Sequence, residues 1–195
     1  AFDDLLTGNA LDNQLDGGPG TDTAVLARAL ADCRITSTGS SVRVVGPEGR
    51  DILTGVERLV FTDTRLAFDL DAAAGQAARL VGALHGAAAL RDASLVGRAL
   101  GLLDAGADPL ALAQAMLEGL PQGPLAPAAL VTELYQHVVG HAPAPRELAV
   151  YTSALTSGQY SPASLLVHAA QCEANRVAID LTGLAQTGLA YLLPG

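Results

Sequence analysis

Two kinds of apolar spacing run along the chain, and they change over near residue 71. Before that point the apolar residues come in short stretches rich in β-branched side chains, at residues 34–38, 42–45, 58–62 and 66–68. The turn signals Gly39-Ser40, Gly46-Pro47 and Asp63-Thr64 separate them, so the pattern predicts short strands. Ile52, Leu53, Val56, Leu59 and Phe61 add enough apolar surface to close one end of a first core. From residue 72 onward Ala and Leu recur at helical spacing. Leu130, Leu134 and Val138 fall on one face, as do Leu148, Tyr151 and Leu155, and Leu165 and Ala169.

The helical part carries a long repeat. Residues 80–118 and 134–173 each read helix, glycine, helix, glycine, helix, with Gly86 matching Gly140 and Gly106 matching Gly158. Asp108-Pro109 and Ser161-Pro162 have the form of an N-cap followed by a first-turn proline. The first copy lacks the tyrosine that follows Leu134 in the second, so it is the more degenerate of the two. The expected fold is α+β: a short β-roll and small β unit over residues 1–71, then an all-α bundle over residues 72–195. The bundle is expected to hold about six helices, built from two three-helix repeats at about 79–118 and 130–176.

The first 25 residues carry a second, shorter repeat. At ninefold spacing Asp4, Asn13 and Asp22 fall in register, as do Leu6, Leu15 and Ala24, and Gly8 and Gly17. Residues 17–25, Gly-Gly-Pro-Gly-Thr-Asp-Thr-Ala-Val, follow the nonapeptide template G-G-x-G-x-D-x-U-x, and residues 8–16 are a looser copy. Glycines in such turns let successive carbonyls point to one spot, and the aspartate adds a carboxylate there. That is an oxygen cage for a hard cation, which takes six to eight oxygen ligands when it is Ca²⁺. The candidate ligand-bearing positions are Asp4, Gly8, Asn9, Asp12, Asn13, Gly17, Gly18, Gly20 and Asp22. Asp3, Asp4, Asp12, Asp16 and Asp22 stand in the first 22 residues with no basic residue among them, a density that a bound cation would relieve. A plain Gly/Asp-rich loop without metal is the alternative reading. In a roll whose turns alternate between two sides, same-side turns lie eighteen residues apart, as Asp4 and Asp22 do. Asn13 would then need a successor near residue 31. There the chain reads Leu26-Ala27-Arg28-Ala29-Leu30-Ala31, which is no calcium turn, so the roll is expected to end.

Residues 1–25 resemble the hemolysin-type RTX calcium-binding repeats. The wording "DTAV…GVERLVF" resembles the β-rich segment that commonly follows them. Residues 72–176, through "LYQHVVGHAP…YTSALTSG" and "CEANR", are similar to a helical domain of unknown function found in secreted RTX proteins. The resemblance implies type I secretion, Ca²⁺ as cofactor and folding triggered by calcium outside the cell. It also implies an extracellular or cell-surface setting, adhesin-like or S-layer-like, and no reaction. The helical domain would meet a protein or cell-surface partner. The ending Ala190-Tyr191-Leu192-Leu193-Pro194-Gly195 departs from the acidic-then-apolar ending often seen in such exported proteins.

Charge agrees with a cation as partner. Twenty acidic residues stand against eleven basic ones, all Arg, for a formal charge of −9, so a nucleic acid would be repelled. The apolar runs are too short for a membrane span, which needs about 20 residues. The chain opens at Ala1 inside an acidic repeat with no signal-like stretch, so it is expected to be a piece of something longer. Cys33 and Cys172 are too few for a disulfide framework and read first as small packing residues.

Weaker constellations set the alternatives. His137 and His141 have the spacing of a helical zinc pair, but Gly140 and Pro143 are expected to stop the helix first. His168 and Cys172 can share a helical face as a base–nucleophile pair, the reading of a hydrolase with its catalytic residues in this segment, whereas a C-terminal accessory region of a secreted RTX hydrolase or toxin needs none here. Structural or solvent-exposed histidines are the plainer account of the first, and interior packing beside Leu165 and Ala169 of the second. Asp69-Leu70-Asp71 opens like an EF-hand loop but lacks its later Gly and Glu. Tyr135, Tyr151 and Tyr160 are placed to line a ligand groove in the helical domain.

Overall fold

The computed structural model describes residues 2–193 and is α+β. Two compact units make up the chain. The first runs to Ala74 and also holds Thr182–Leu192; the second is Gly75–Leu181 with Leu193.

The first unit is built on two sheets. Its strands are β1 (Leu5–Thr7), β2 (Asn13–Asp16), β3 (Thr23–Val25), β4 (Arg34–Ser37), β5 (Ser41–Gly46), β6 (Gly49–Thr54), β7 (Arg58–Val60), β8 (Arg65–Ala67) and β9 (Leu189–Tyr191). One sheet has the order β1-β3-β7-β8-β9, the other β2-β6-β5-β4. The chain crosses from one sheet to the other and back, so β1 and β3 pair in parallel with Leu5 opposite Thr23, a separation of 23 − 5 = 18 residues. β3 and β7 pair in parallel as well, which sets "DTAV" beside "ERLVF". On the other sheet β2 pairs in parallel with β6, Asn13 opposite Asp51. That separation is 51 − 13 = 38 because the antiparallel strands β4 and β5 are inserted before β6 is laid down.

Inward side chains follow the period of two that strands impose. Val42 and Val44 of β5 are buried while Arg43 and Val45 point out. With Ala24, Leu26, Leu53, Val56, Leu59, Phe61 and Leu66 they form the core, and Leu6 and Leu15 pack against its edge. Ala24 stands where the ninefold pattern has Leu6 and Leu15, and it is fully buried.

The second unit is helical. Among the described residues the helices of the chain are α1 (Ala73–His85), α2 (Ala93–Asp104), α3 (Pro109–Glu118), α4 (Pro127–Val138), α5 (Pro145–Thr156), α6 (Pro162–Gln171), α7 (Glu173–Ala178) and α8 (Leu181–Thr187), of which α8 lies almost wholly in the first unit. Proline opens α3 to α6, where its missing N–H costs nothing. Asp108 caps α3 by accepting the Ala111 N–H at 2.7 Å, and Ser161 caps α6 by accepting the Ser164 N–H at 3.1 Å. α2 and α5 each run into a left-handed glycine, Gly106 and Gly158, whose φ angles of 92° and 77° suit glycine alone at no cost. α7 and α8 add to the expected six. The Asn175 amide of α7 is fully buried and donates to the Arg79 and Ala170 carbonyls at 3.0 and 2.9 Å.

Asn175→Ala would strip donors from two carbonyls and leave a small void. It is expected to lower the stability of the helical unit by about 2–3 kcal/mol, read from the urea midpoint followed at 222 nm. A loss under about 0.5 kcal/mol would show that those hydrogen bonds are replaced by water.

Candidate cation site

The ninefold register reappears as a ladder of hydrogen bonds. The Asp4 N–H donates to Asp22 Oδ1 at 2.7 Å, and the Asp22 N–H donates to Glu57 Oε2 at 2.9 Å. Nine residues after Asp4, the Asn13 N–H donates to Asp51 Oδ1 at 3.1 Å. Asp3 and Asp12 also stand nine apart: Asp3 Oδ1 accepts the Thr21 N–H and Asp12 Oδ1 the Arg50 N–H, both at 2.8 Å. Asp4, Asp22 and Asn13 thus hand their backbone donors to a side-chain oxygen of the following same-side rung, while Asp3 and Asp12 accept a donor from it. Asp51 is the successor that Asn13 was expected to lack near residue 31. The inserted strands moved it 20 positions along, since 51 − 31 = 20.

Among the described residues of this unit three carboxylates are buried, those of Asp22, Asp51 and Asp69. Arg28, itself buried, forms an ion pair with Asp51 Oδ2, and Glu48 lies 3.9 Å from the same guanidinium. Arg58 forms an ion pair with Asp69 Oδ1 and lies 6.0 Å from the centre of the Tyr191 ring. Asp69 Oδ2 also accepts the Ala74 N–H at 3.0 Å at the start of α1, so the stretch considered for an EF-hand serves as an anchor. Asp22 has no arginine. Its Oδ1 accepts the Asp4 N–H, while Oδ2 is buried with no hydrogen-bond partner. A buried ionised oxygen in that condition is costly.

The turn around Asp22 is shaped for close backbone approach. A Cβ on Gly17 would stand 2.2 Å from the Gly55 carbonyl oxygen and 2.5 Å from Asp22 Cβ. One on Gly20 would stand 2.1 Å from the Phe2 carbonyl oxygen. Gly18 takes a φ of 78° and is open to solvent. Beside the turn is a wide cleft whose lining includes Asp16, Gly20, Glu57 and Asp71 and no basic residue. Among the described residues no three His, Cys, Asp or Glu side chains converge to hold a metal.

The other candidate turn is arranged differently. The Asn13 amide nitrogen lies 3.0 Å from the Asn9 carbonyl, 2.5 Å from the Leu11 carbonyl and 2.7 Å from Asp51 Oδ1. Asn13 Oδ1 accepts the Asn9 N–H at 3.2 Å, and Gly8 lies so close that a Cβ there would meet the amide at 2.9 Å. Asp4 and Asp12 are exposed. The structure therefore brings Gly17, Gly20 and Asp22 together with the Asp4 backbone, and gathers Gly8, Asn9 and Asn13 around an amide. Glu57, Asp51 and Arg28 were not singled out from sequence. The signal for Glu57 was its place before "RLVF", which matches that of Asp22 before "TAV".

In the helical unit, α4 ends at Val138, before His141. His137 Nδ1 lies 3.3 Å from the Ala83 carbonyl oxygen, and exposed His141 lies 2.8 Å from that of Ala142. Tyr135 and Tyr151 meet edge to face at 6.0 Å, and Tyr160 packs on His168 at 5.6 Å. The first two, with Leu134, Leu165, His168 and Cys172, line an apolar pocket of about 130 Å³. Burial pushes the Tyr135 phenol up, helped by Glu147 and Tyr151. Both cysteines are free and partly buried, and burial pushes the Cys33 thiol up against the opposing pull of Arg28. No helix among the described residues is long and apolar enough to cross a membrane.

Compared with family models, curated proteins and solved structures, the chain matches none.

Burial holds the His85 imidazole below its ordinary value, His137 adds to this, and Glu133 opposes it. The folded state then binds this proton less readily than the unfolded chain. The contribution is full above about pH 6.5, the ordinary histidine value, and is lost as pH falls through the lower folded value. Urea midpoints are expected to drop on acidification below that pH in the parent and to drop less in His85→Gln. Identical profiles would remove His85 as the cause.

Proposed function

We propose that the chain is a non-catalytic calcium-binding module of a secreted RTX-type protein, with Asp22 as the charged ligand. The observation that carries this reading is the second carboxylate oxygen of Asp22, buried without a donor where the other two buried carboxylates have an arginine. The surroundings fit a hard cation. The donors at hand are a carboxylate and backbone carbonyls, and Gly17 and Gly20 leave no room for side chains in their place. Bound calcium would supply the positive charge that Asp22 lacks. Among the residues singled out from sequence, the proposal gives the ligand role to the 17–22 turn.

The eighteen-residue parallel register of β1 and β3 supports the β-roll part of the reading. The pairing of β3 with β7 supports treating "DTAV" and "GVERLVF" as one segment. In the cycle that follows, the chain leaves the cell unfolded and calcium-free. Outside, calcium at the affinities of extracellular modules, about 10⁻⁴–10⁻³ M, closes the turn and drives folding. The helical unit then serves as an interaction or anchoring domain on the outside of the cell. The apolar pocket between α4, α5 and α6 favours a second reading for that unit, a ligand-binding module.

Thermal melting with calcium and with chelator tests the proposal. At calcium ten to a hundred times the Kd, binding is expected to add about 1.4–2.7 kcal/mol, seen as a rise in Tm that magnesium reproduces poorly. Asp22→Asn keeps the shape and removes the charge, so it should melt higher than the parent in chelator and no longer respond to calcium. Equal melting of the parent in calcium and in chelator would overturn the proposal.

A further inference from the structure

The two glycine turns of the roll end at equivalent positions, Asn13 and Asp22, but in chemically opposite states. Around Asn13 three oxygens converge within 3.0 Å of one atom, the carbonyls of Asn9 and Leu11 and Asp51 Oδ1, and that atom is the amide nitrogen of Asn13. The partners fix which way the amide faces, since the Asn9 N–H needs an acceptor and finds Asn13 Oδ1 on the opposite side. An NH₂ group has two hydrogens for these three acceptors, so the cage holds more oxygen than an amide needs. It is an oxygen-rich pocket of the kind a cation fills, with a neutral donor inside. The charge is also settled locally, because Asp51 has Arg28 as its buried partner. Nothing in this turn requires an ion.

We propose that Asn13 is a built-in substitute for a cation: the 8–13 turn closes on its own amide without metal, and Asn13→Asp turns the same cage into a divalent-cation site. The substitution removes the donor, leaves the Asn9 and Leu11 carbonyls and Asp51 facing a new carboxylate, and adds a third acid to Asp51 and Glu48 near Arg28. The inference deepens the calcium reading of the roll, since it assigns metal dependence to one of its two sides, but its geometry does not depend on Asp22.

Calcium stoichiometry, by titration calorimetry with Ca²⁺ and by Tb³⁺ luminescence, tests it in four proteins. The parent is expected to bind one ion, Asn13→Asp two, Asp22→Asn none and the double variant one. If the parent binds none while Asn13→Asp gains one, the calcium reading of Asp22 fails and the inference stands. If Asn13→Asp folds and binds no more ions than the parent, the inference is overturned. Should Asn13→Asp not fold at any calcium concentration, the side-chain amide protons of Asn13 in the parent decide. They are expected to be protected from exchange equally in calcium and in chelator, and protection that appears only with calcium would overturn the inference.

Discussion

A carboxylate taken out of water must be given a positive charge or enough hydrogen-bond donors, and the two-sheet unit is organised around that requirement. Its parallel strands repeat one position from rung to rung, and that position is acidic or an amide: Asp4, Asp22 and Glu57 on one side, Asn13 and Asp51 on the other. Stacking rungs about 4.8 Å apart brings those groups close together. Asp22, Asp51 and Glu57 each take the backbone N–H of the rung before, which offsets part of the cost but leaves the charge.

How the charge is balanced differs along the stack. Arg28 answers Asp51, and Arg58 answers Asp69, each from inside the unit. Asn13 avoids the question by being neutral. Asp22 alone of the three buried acids has no arginine, and it sits in the turn where glycine backbone is pressed against neighbouring carbonyls. The proposal of a cation at Asp22 therefore follows from the way its neighbours are paired as much as from the repeat itself. The two sides differ in this: Asp51 is matched by the chain's own Arg28, while Asp22 Oδ2 has no hydrogen-bond partner.

Much of this was legible in the residues, and what was hidden had a physical reason. Ninefold spacing of Asp4, Asn13 and Asp22 foretold the eighteen-residue register, because a two-sided coil must return after two repeats. Gly106 and Gly158, with Asp108 and Ser161, marked helix ends through local chemistry alone. β6 was missed as a strand because Arg50 and Asp51 interrupt its apolar pattern, and only pairing with Arg28 and Asn13 makes Asp51 tolerable inside. β9 lay in a stretch taken as part of the helical domain. Its place beside β8 is a contact over more than 120 residues, since 189 − 67 = 122, and no local pattern encodes it. The stretch 26–31 read only as no calcium turn, and the counter-charge that its Arg28 gives to Asp51 has no local signature.

The most direct test is anomalous diffraction from crystals grown in millimolar calcium, repeated with a lanthanide in its place. The account predicts one peak in the parent protein at bonding distance from Asp22 Oδ2, about 2.3–2.6 Å for calcium, and none inside the Asn13 turn. A well-ordered Asp22 with no peak beside it, or a peak held in the Asn13 turn instead, would contradict it.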